Sequence, residues 1–337
     1  MKLRRLFLCL ILLLLAGSAL SADGPKYLGI TFLTTNDLHL HEMPFTWPAD
    51  ARTGAPAIPD VGGMARISTI VSRTRAESCT PVMLFDSGDT THGYGALART
   101  YHGGSIIALM NAMRYDAMAP GNHEFQWHGI EPVRNIKESK FPWVCANVIY
   151  ADSGKPFLPA YIIKDAWGAR VAVFGLTNDL PSTQPKTYVA GPELGLKVLP
   201  PKEVAAKMVA ELRGKADIVV LLSHLGSWLD MPIAKEIPGI DLILGGHSHS
   251  FFNTPRMAQV GVPSAFSIGA VPIVQAGYYG RKMGLTRLIF RRDDSGRYRL
   301  MSCKGELLDV NASISDDPEI VRIIQDFTTR IPPPPPK

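Results

Sequence analysis

Five short polar clusters, each directly behind an apolar run, constrain this chain more than any other feature of it. They are Asn36-Asp37-Leu38-His39, Asp86-Ser87-Gly88-Asp89, Pro120-Gly121-Asn122-His123-Glu124, Ser223-His224 and Gly246-His247-Ser248-His249. Together they supply oxygen and imidazole donors in sufficient number to hold two divalent cations. A fold that uses them must end several strands at one place.

Each cluster has local reasons for its composition. Asp37 and His39 lie two apart, and in an extended segment such residues point to the same side, so both can reach one cation. An Asx turn with an incidental histidine is the competing reading of that pair. Gly88 lets the backbone turn tightly before Asp89, whose two carboxylate oxygens suit a ligand shared between adjacent cations, although an aspartate in that place can also cap a helix. Asn122 and His123 set an amide beside an imidazole on a glycine turn behind Ala117-Met118-Ala119. Gly245 and Gly246 free the backbone to turn both His247 and His249 inward, where the alternative is a solvent-facing histidine loop.

Between the clusters, strand and helix patterns alternate. Tyr27–Thr35 and Pro81–Phe85 read as strands, followed later by Tyr115–Ala119 and Phe141–Tyr150. Tyr161–Lys164 and Arg170–Phe174 form a hairpin across Ala166-Trp167-Gly168. Ile218–Leu222 and Asp241–Leu244 are continuously apolar, as strands covered on both faces are. Ile273–Ala276, Leu285–Arg291 and Tyr298–Glu306 complete the strands, with Asp293–Gly296 as a turn. Helical spacing marks 62–78, 105–113 and 203–212, and Asp317-Pro318 opens a last helix as N-cap and first residue. The segments 42–60, 90–104 and 177–201 read as irregular loops.

The first residues have the layout of a secretory signal: Lys2, Arg4 and Arg5, then an apolar run from Leu6 to Ala16, then small residues up to Ser21. The run is too short to span a bilayer, so the expected division is a signal peptide over 1–21, a catalytic domain over 22–330 and a stiff proline tail over 331–337. The expected destination is the periplasm or the cell exterior. Cleavage removes three positive charges from a net +5 and leaves about +2, so the basicity is mostly targeting, and no nucleic-acid polymer is expected as partner. Cys79, Cys145 and Cys303 remain at unpatterned spacing; one disulfide with a free thiol, and three buried thiols, are both open.

The order Asp-x-His, Gly-Asp, Gly-Asn-His-Glu, His, Gly-His-x-His resembles the calcineurin-like metallophosphoesterase superfamily. Gly175-Leu176-Thr177-Asn178-Asp179 and Gly246–His249 look most like its exported 5'-nucleotidase and 2',3'-cyclic-nucleotide phosphodiesterase branch. The resemblance implies an α/β fold, a four-layer α/β/β/α sandwich with a dinuclear metal site at the strand ends. It implies one divalent cation (Zn, Mn or Fe) on Asp37, His39, Asp89 and His249, and a second on Asp89, Asn122, His224 and His247. His123 would be the catalytic residue beside them, acting on small phosphate esters, nucleotides above all, by attack of a metal-activated hydroxide. Two departures stand out. Gln126 occupies the position where the branch usually has an aspartate orienting the histidine; it and Asn122 are the candidate orienting or substrate-binding groups. The branch's base-stacking C-terminal domain is expected to be missing, with Phe45, Trp47, Trp127 and Trp228 as candidates for a replacement wall. Of the histidines without a motif role, His41, His92, His102 and His128, the first and last are expected nearest the site. The competing functions are hydrolysis of cyclic nucleotides, nucleotide sugars or a non-nucleotide substrate, and a metal-binding partner protein with little turnover.

Overall fold

The computed structural model describes residues 24–50, 53–126, 131–178, 195–261 and 268–332. The expected signal segment and residues 333–337 of the expected tail lie outside them, as do Trp127, His128 and Asp179. In chain order the first strands are β1 (Tyr27–Thr35), β2 (Phe45–Trp47), β3 (Ile58–Val61), β4 (Val82–Asp86), β5 (Ala117–Met118), β6 (Val148–Tyr150), β7 (Tyr161–Ala166) and β8 (Ala169–Thr177). They continue with β9 (Leu196–Val198), β10 (Ile218–His224), β11 (Leu242–Gly245), β12 (Arg256–Gln259), β13 (Ala270–Val274), β14 (Lys282–Arg292) and β15 (Tyr298–Asp309). The helices are α1 (Met64–Glu77), α2 (Ala96–Tyr101), α3 (Gly104–Met113), α4 (Glu131–Glu138), α5 (Pro201–Leu212), α6 (Ser227–Glu236) and α7 (Pro318–Thr329).

Two sheets carry the fold, ordered β15-β14-β1-β4-β5 and β12-β13-β11-β10-β8-β7. In the first, β1, β4 and β5 are parallel; in the second, β8, β10, β11 and β13 are. Parallel neighbours bring their carboxyl ends to one rim, which is why clusters far apart in sequence can meet. Side-chain alternation then separates three cores. Leu28, Ile30 and Phe32 of β1 meet Ile218, Val220 and Leu222 of β10 between the two sheets. Leu33 faces the other way, with α1 and α3 residues such as Ile67, Ile70 and Ile106. Val219 and Leu221 face Met208 and Leu212 of α5 and Ile233 of α6. Helix, sheet, sheet, helix is the four-layer sandwich expected.

Several local expectations need correction. The segment 42–60 is not wholly irregular: between Pro44 and Pro48 the β-favouring Phe45-Thr46-Trp47 pairs antiparallel with β3, Phe45 opposite Val61. Helix α2 lies within the expected loop 90–104, bounded by Gly95 and by His102 in the left-handed region. The expected strand Phe141–Tyr150 narrows to β6, because its first half divides its backbone between the sheets. The Val144 amide donates to Met118 O (2.8 Å) and the Ala146 amide to Gly175 O (2.8 Å). A Cβ on Gly175 would sit 1.9 Å from Val144 O, so only glycine permits that approach. Strand β9 falls in the expected loop 177–201 and pairs with β6. Helices α4 and α6 and strand β12 had no matching expectation; Pro232 inside α6 disguises that helix. Cys145 and Cys303 are free, so the three cysteines downstream of the signal do not pair with one another.

Asp317 caps α7 as its position predicts, its Oδ1 accepting the Glu319 amide at 2.9 Å, while its Oδ2 accepts from Ser68 of α1 at 2.7 Å. Phe32 is fully buried between the sheets and lies 6.4 Å, ring to ring, from Phe85. Phe32→Ala should therefore lower the free energy of unfolding by about 3–5 kcal/mol. Met43→Ala, at a half-exposed position, should change it by less than about 0.5 kcal/mol; urea titration of both variants checks the contrast.

Candidate metal centre

The five clusters converge at the common rim. His249 Nε2 lies 3.1 Å from Asp37 Oδ1 and 3.3 Å from His39 Nε2, while His39 Nε2 is 4.0 Å from the same carboxylate oxygen. Beside this group, His224 Nε2 is 3.0 Å from Asp89 Oδ2, and the His247 ring centre is 5.2 Å from that of His224. Asp37, His39 and His249 form one set of donor atoms within 4.8 Å of one another; Asp89, His224 and His247 form a second. His39, Asp89 and His123 form a third set that links them.

The donors are held in an attitude that suits cations. His224 Nδ1 donates to Ser87 O at 2.6 Å, which fixes the ring with Nε2 directed at Asp89. His39 Nδ1 likewise donates to His92 O at 3.3 Å. Asn122 Oδ1 is buried with no hydrogen-bond partner among the described residues, an orphan acceptor of the kind a cation would satisfy. The chemistry of the set, carboxylates, imidazoles and one amide, fits Zn, Mn or Fe(II) without choosing among them.

Reaching these positions distorts the backbone. Asp37, His39, Asp89, His247 and His249 all have left-handed φ values, 51°, 45°, 55°, 70° and 53°. Each costs on the order of 1 kcal/mol, so surrounding structure must enforce them. Much of that enforcement is one carboxylate. Glu124 accepts the amides of Asp89 (2.8 Å), Thr90 (2.7 Å), Thr91 (2.8 Å) and Gly121 (2.6 Å), tying the β4 loop to the β5 loop. Asp86 adds a second tie, accepting from Thr35 Oγ1 (2.7 Å), the Gly88 amide (2.9 Å) and Thr90 Oγ1 (2.8 Å). A Cβ on Gly121 would stand 2.2 Å from Asp89 Oδ1 and 2.6 Å from His224 Nε2, so that glycine makes room for the donors.

Burial opposes charge throughout, and partners decide the outcome. It pulls His39 and His247 down to about 4, leaving neutral imidazoles at pH 7. For His224 burial is outweighed by the Asp89 carboxylate, which lifts the imidazole to about 10. For Asp89, burial is likewise outweighed, here by the charge of His224 and its hydrogen bond, and the carboxyl is held well below its usual range. Without a cation the pair therefore shares a proton that a cation would displace.

Six of the seven expected donors thus lie together, with His123 beside them, its Nε2 3.9 Å from Asp89 Oδ2, and the seventh, Asn122, directly precedes His123 in the chain. Gln126 ends the short 3-10 turn His123–Gln126, yet His123 Nδ1 has no hydrogen-bond partner among the described residues, so the Gln126 amide does not orient it. His92, which sequence reasoning set aside, lies nearer than expected, its ring centre 5.3 Å from that of His123. Its place three residues past Asp89 was the available signal. His41 stacks on Tyr279 at 3.7 Å, and His102 pairs with Glu131 at 3.3 Å. Phe45 and Trp47 pack against Tyr279 and Tyr278, with the Arg281 guanidinium 3.6 Å from the Trp47 ring centre. They buttress Tyr278, which stacks on His249 at 4.6 Å, instead of presenting an open wall. Glu124 and Tyr278 are functional neighbours the sequence did not reveal. A separate cavity of 460 Å³, lined by Arg170, Arg213 and Asp217 among others, opens at the opposite ends of the strands and includes none of these donors.

Residues 30–251 match the model of the calcineurin-like phosphoesterase family. The chain is 30% identical to human 5'-nucleotidase over 309 residues, a match that takes in 86% of this chain and 51% of that protein. It thus spans about half the length of the curated relatives it matches. Among solved structures it is similar to a 5'-nucleotidase precursor from Thermus thermophilus, with TM-score 0.73 and 27% identity over 89% of this chain and 58% of that one. The calcineurin-like phosphoesterase YfkN from Bacillus subtilis shares the fold at TM-score 0.73 and 23% identity, over 90% of this chain and 98% of that one.

The Glu124 tie and the His224–Asp89 proton can each be tested through metal affinity. Glu124→Gln replaces one acceptor oxygen by a donor facing backbone amides, and zinc affinity should fall about 10- to 100-fold in a competition titration against a chromogenic chelator. Because His224 is protonated at neutral pH and must be neutral to hold a cation, affinity should rise with pH from 6 to 8. Calorimetry in buffers of different ionisation enthalpy should register the protons released.

Proposed function

The chain belongs to the calcineurin-like phosphoesterase family, and from that premise we propose that it is an exported two-metal phosphoesterase that hydrolyses small phosphate esters, nucleotides in particular. The observation that carries the reading is the pairing of two donor sets across Asp89, with the buried Asn122 Oδ1, next in the chain to His123, unpartnered among the described residues. In this reading Asp37, His39, Asp89 and His249 hold one divalent cation, and Asp89, Asn122, His224 and His247 the other. Asp89 is the shared ligand of this reading, supported by its place in two donor sets: one with His224 and His247, and one with His39 and His123.

When bound, two such cations supply Lewis acidity for the phosphoryl oxygens and acidify a water at neutral pH. The chain's own residues do the rest. His123, with 31% of its side chain exposed, is a partly open member of the cluster that is not among the proposed ligands, and it is placed to donate a hydrogen bond to the phosphoryl group or the leaving oxygen. Its backbone amide is anchored on Asp89, so the imidazole keeps its relation to the metals. His92 stands behind it as a second imidazole, lowered to about 4 by burial and by its neighbours and therefore neutral.

The nucleotide preference rests on the likeness to 5'-nucleotidases, which this chain matches over about half their length. Export is supported by the basic and apolar start of the chain, and among the described residues no helix is long and apolar enough to cross a membrane. The test is steady-state hydrolysis of AMP, a cyclic nucleotide and an aryl phosphate by protein stripped with chelator and reloaded with Mn or Zn. AMP hydrolysis should require the added metal and fall by more than about 100-fold in Asp89→Asn. His123→Ala should lower kcat about 100-fold or more while metal content is retained. Turnover of none of the esters with both metals bound would overturn the reading.

A further inference from the structure

One large aromatic side chain at the rim has no structural employment on its outer side. Trp228 is 56% exposed, and its ring centre lies 5.4 Å from that of His247, edge to face. The inner side of the indole is tightly seated. A Cβ on Gly226 would lie 2.6–2.8 Å from three atoms of its six-membered ring, so the indole covers the space that glycine leaves open. The segment bearing it is fixed as well: the Ser227 amide donates to Ser248 Oγ at 3.2 Å, joining the start of α6 to the loop that carries His247 and His249. Trp228 is therefore a preset ring with one free face, set against a proposed metal ligand.

An indole that is more than half exposed beside the proposed metal ligands offers an apolar face on which a planar ring can stack. The aromatic residues on the His249 side cannot serve in the same way, because Trp47, Tyr278 and Arg281 already cover one another. A phosphate held at the metal rim leaves its ester substituent to extend outward. We propose that Trp228 is a specificity-determining residue that stacks the planar ring of the ester's leaving group, a nucleobase, while the phosphate sits at the metals. The inference rests on the phosphoesterase reading and adds the source of its preference. A ring held in this way contributes by contact alone, at no cost in immobilising the side chain, since Gly226 and His247 hold it already.

The experiment compares AMP with glycerol phosphate, which carries no ring, in metal-loaded wild type, Trp228→Ala and Trp228→Phe. The ratio of kcat/KM for AMP over that for glycerol phosphate should fall about 5- to 100-fold in Trp228→Ala, mainly through KM, and be largely restored in Trp228→Phe. A second readout needs no turnover: the 5'-methylene phosphonate analogue of AMP should quench tryptophan fluorescence in the wild type, and Trp228→Phe should abolish the greater part of that change. A ratio within twofold of wild type in an active Trp228→Ala, or equal quenching with and without the indole, overturns the proposal. Failure of the wild type to hydrolyse either ester would instead sink the phosphoesterase reading, and the quenching comparison would then judge the stacking by itself.

Discussion

A single buried carboxylate, that of Glu124, holds the two loops on which the centre depends. By accepting four backbone amides from both sides of the junction, it fixes the backbone of Asp89 against that of Gly121. Four backbone amides converge on this one water-excluded acceptor, and each is a buried donor in need of a partner. Were the carboxylate absent, four buried donors would be left without partners, a penalty larger than the loss of one contact. The position of Asp89, and through it those of His123 and His224, follows from this tie.

What the tie supports is strain. Five of the proposed ligands adopt left-handed backbone, a conformation favoured by glycine and tolerated by Asp and His better than by branched residues. Such angles persist only where the scaffold overdetermines them. The three apolar cores do so: β10 is buried along its whole length, and its neighbours present apolar faces to both sides. Strands this firmly packed end at fixed heights, and the loops that follow inherit that precision. The electrostatics follow the same plan. Burial keeps His39 and His247 neutral and ready to bind, whereas Asp89 charges His224 in the absence of a cation, so metal occupancy is coupled to proton loss.

Much of this was legible in the residues. The strand runs, the α1 and α5 periodicities, the Asp317 cap and the seven donors all follow from side-chain chemistry and spacing. Other features were not, and the reasons are physical. The segment 141–147 looks like a strand by composition but divides its amides between two sheets, which no local rule anticipates. Helix α6 carries Pro232, which argues against a helix locally and is tolerated only in context. Gln126 was one candidate orienting or substrate-binding group, yet among the described residues His123 Nδ1 has no hydrogen-bond partner, while His92 arrives from the β4 loop. Phe45 and Trp47 were candidates for an open wall; they are instead packed behind Tyr278, whereas Trp228, another of those candidates, is more than half exposed.

The sequence by itself determined which atoms are available for chemistry and that they follow strand ends, because donor identity and hydrophobic period are local properties of the chain. Only the tertiary structure decided that they meet. Parallel pairing of β1 with β4, and of β8, β10 and β11, sets their carboxyl ends on one rim, and packing of the two sheets brings Asp89 within 3.0 Å of His224, 135 positions later in the chain. Distances of that kind come from how apolar faces fill space between layers, which depends on every neighbour at once and is written in no single stretch of residues.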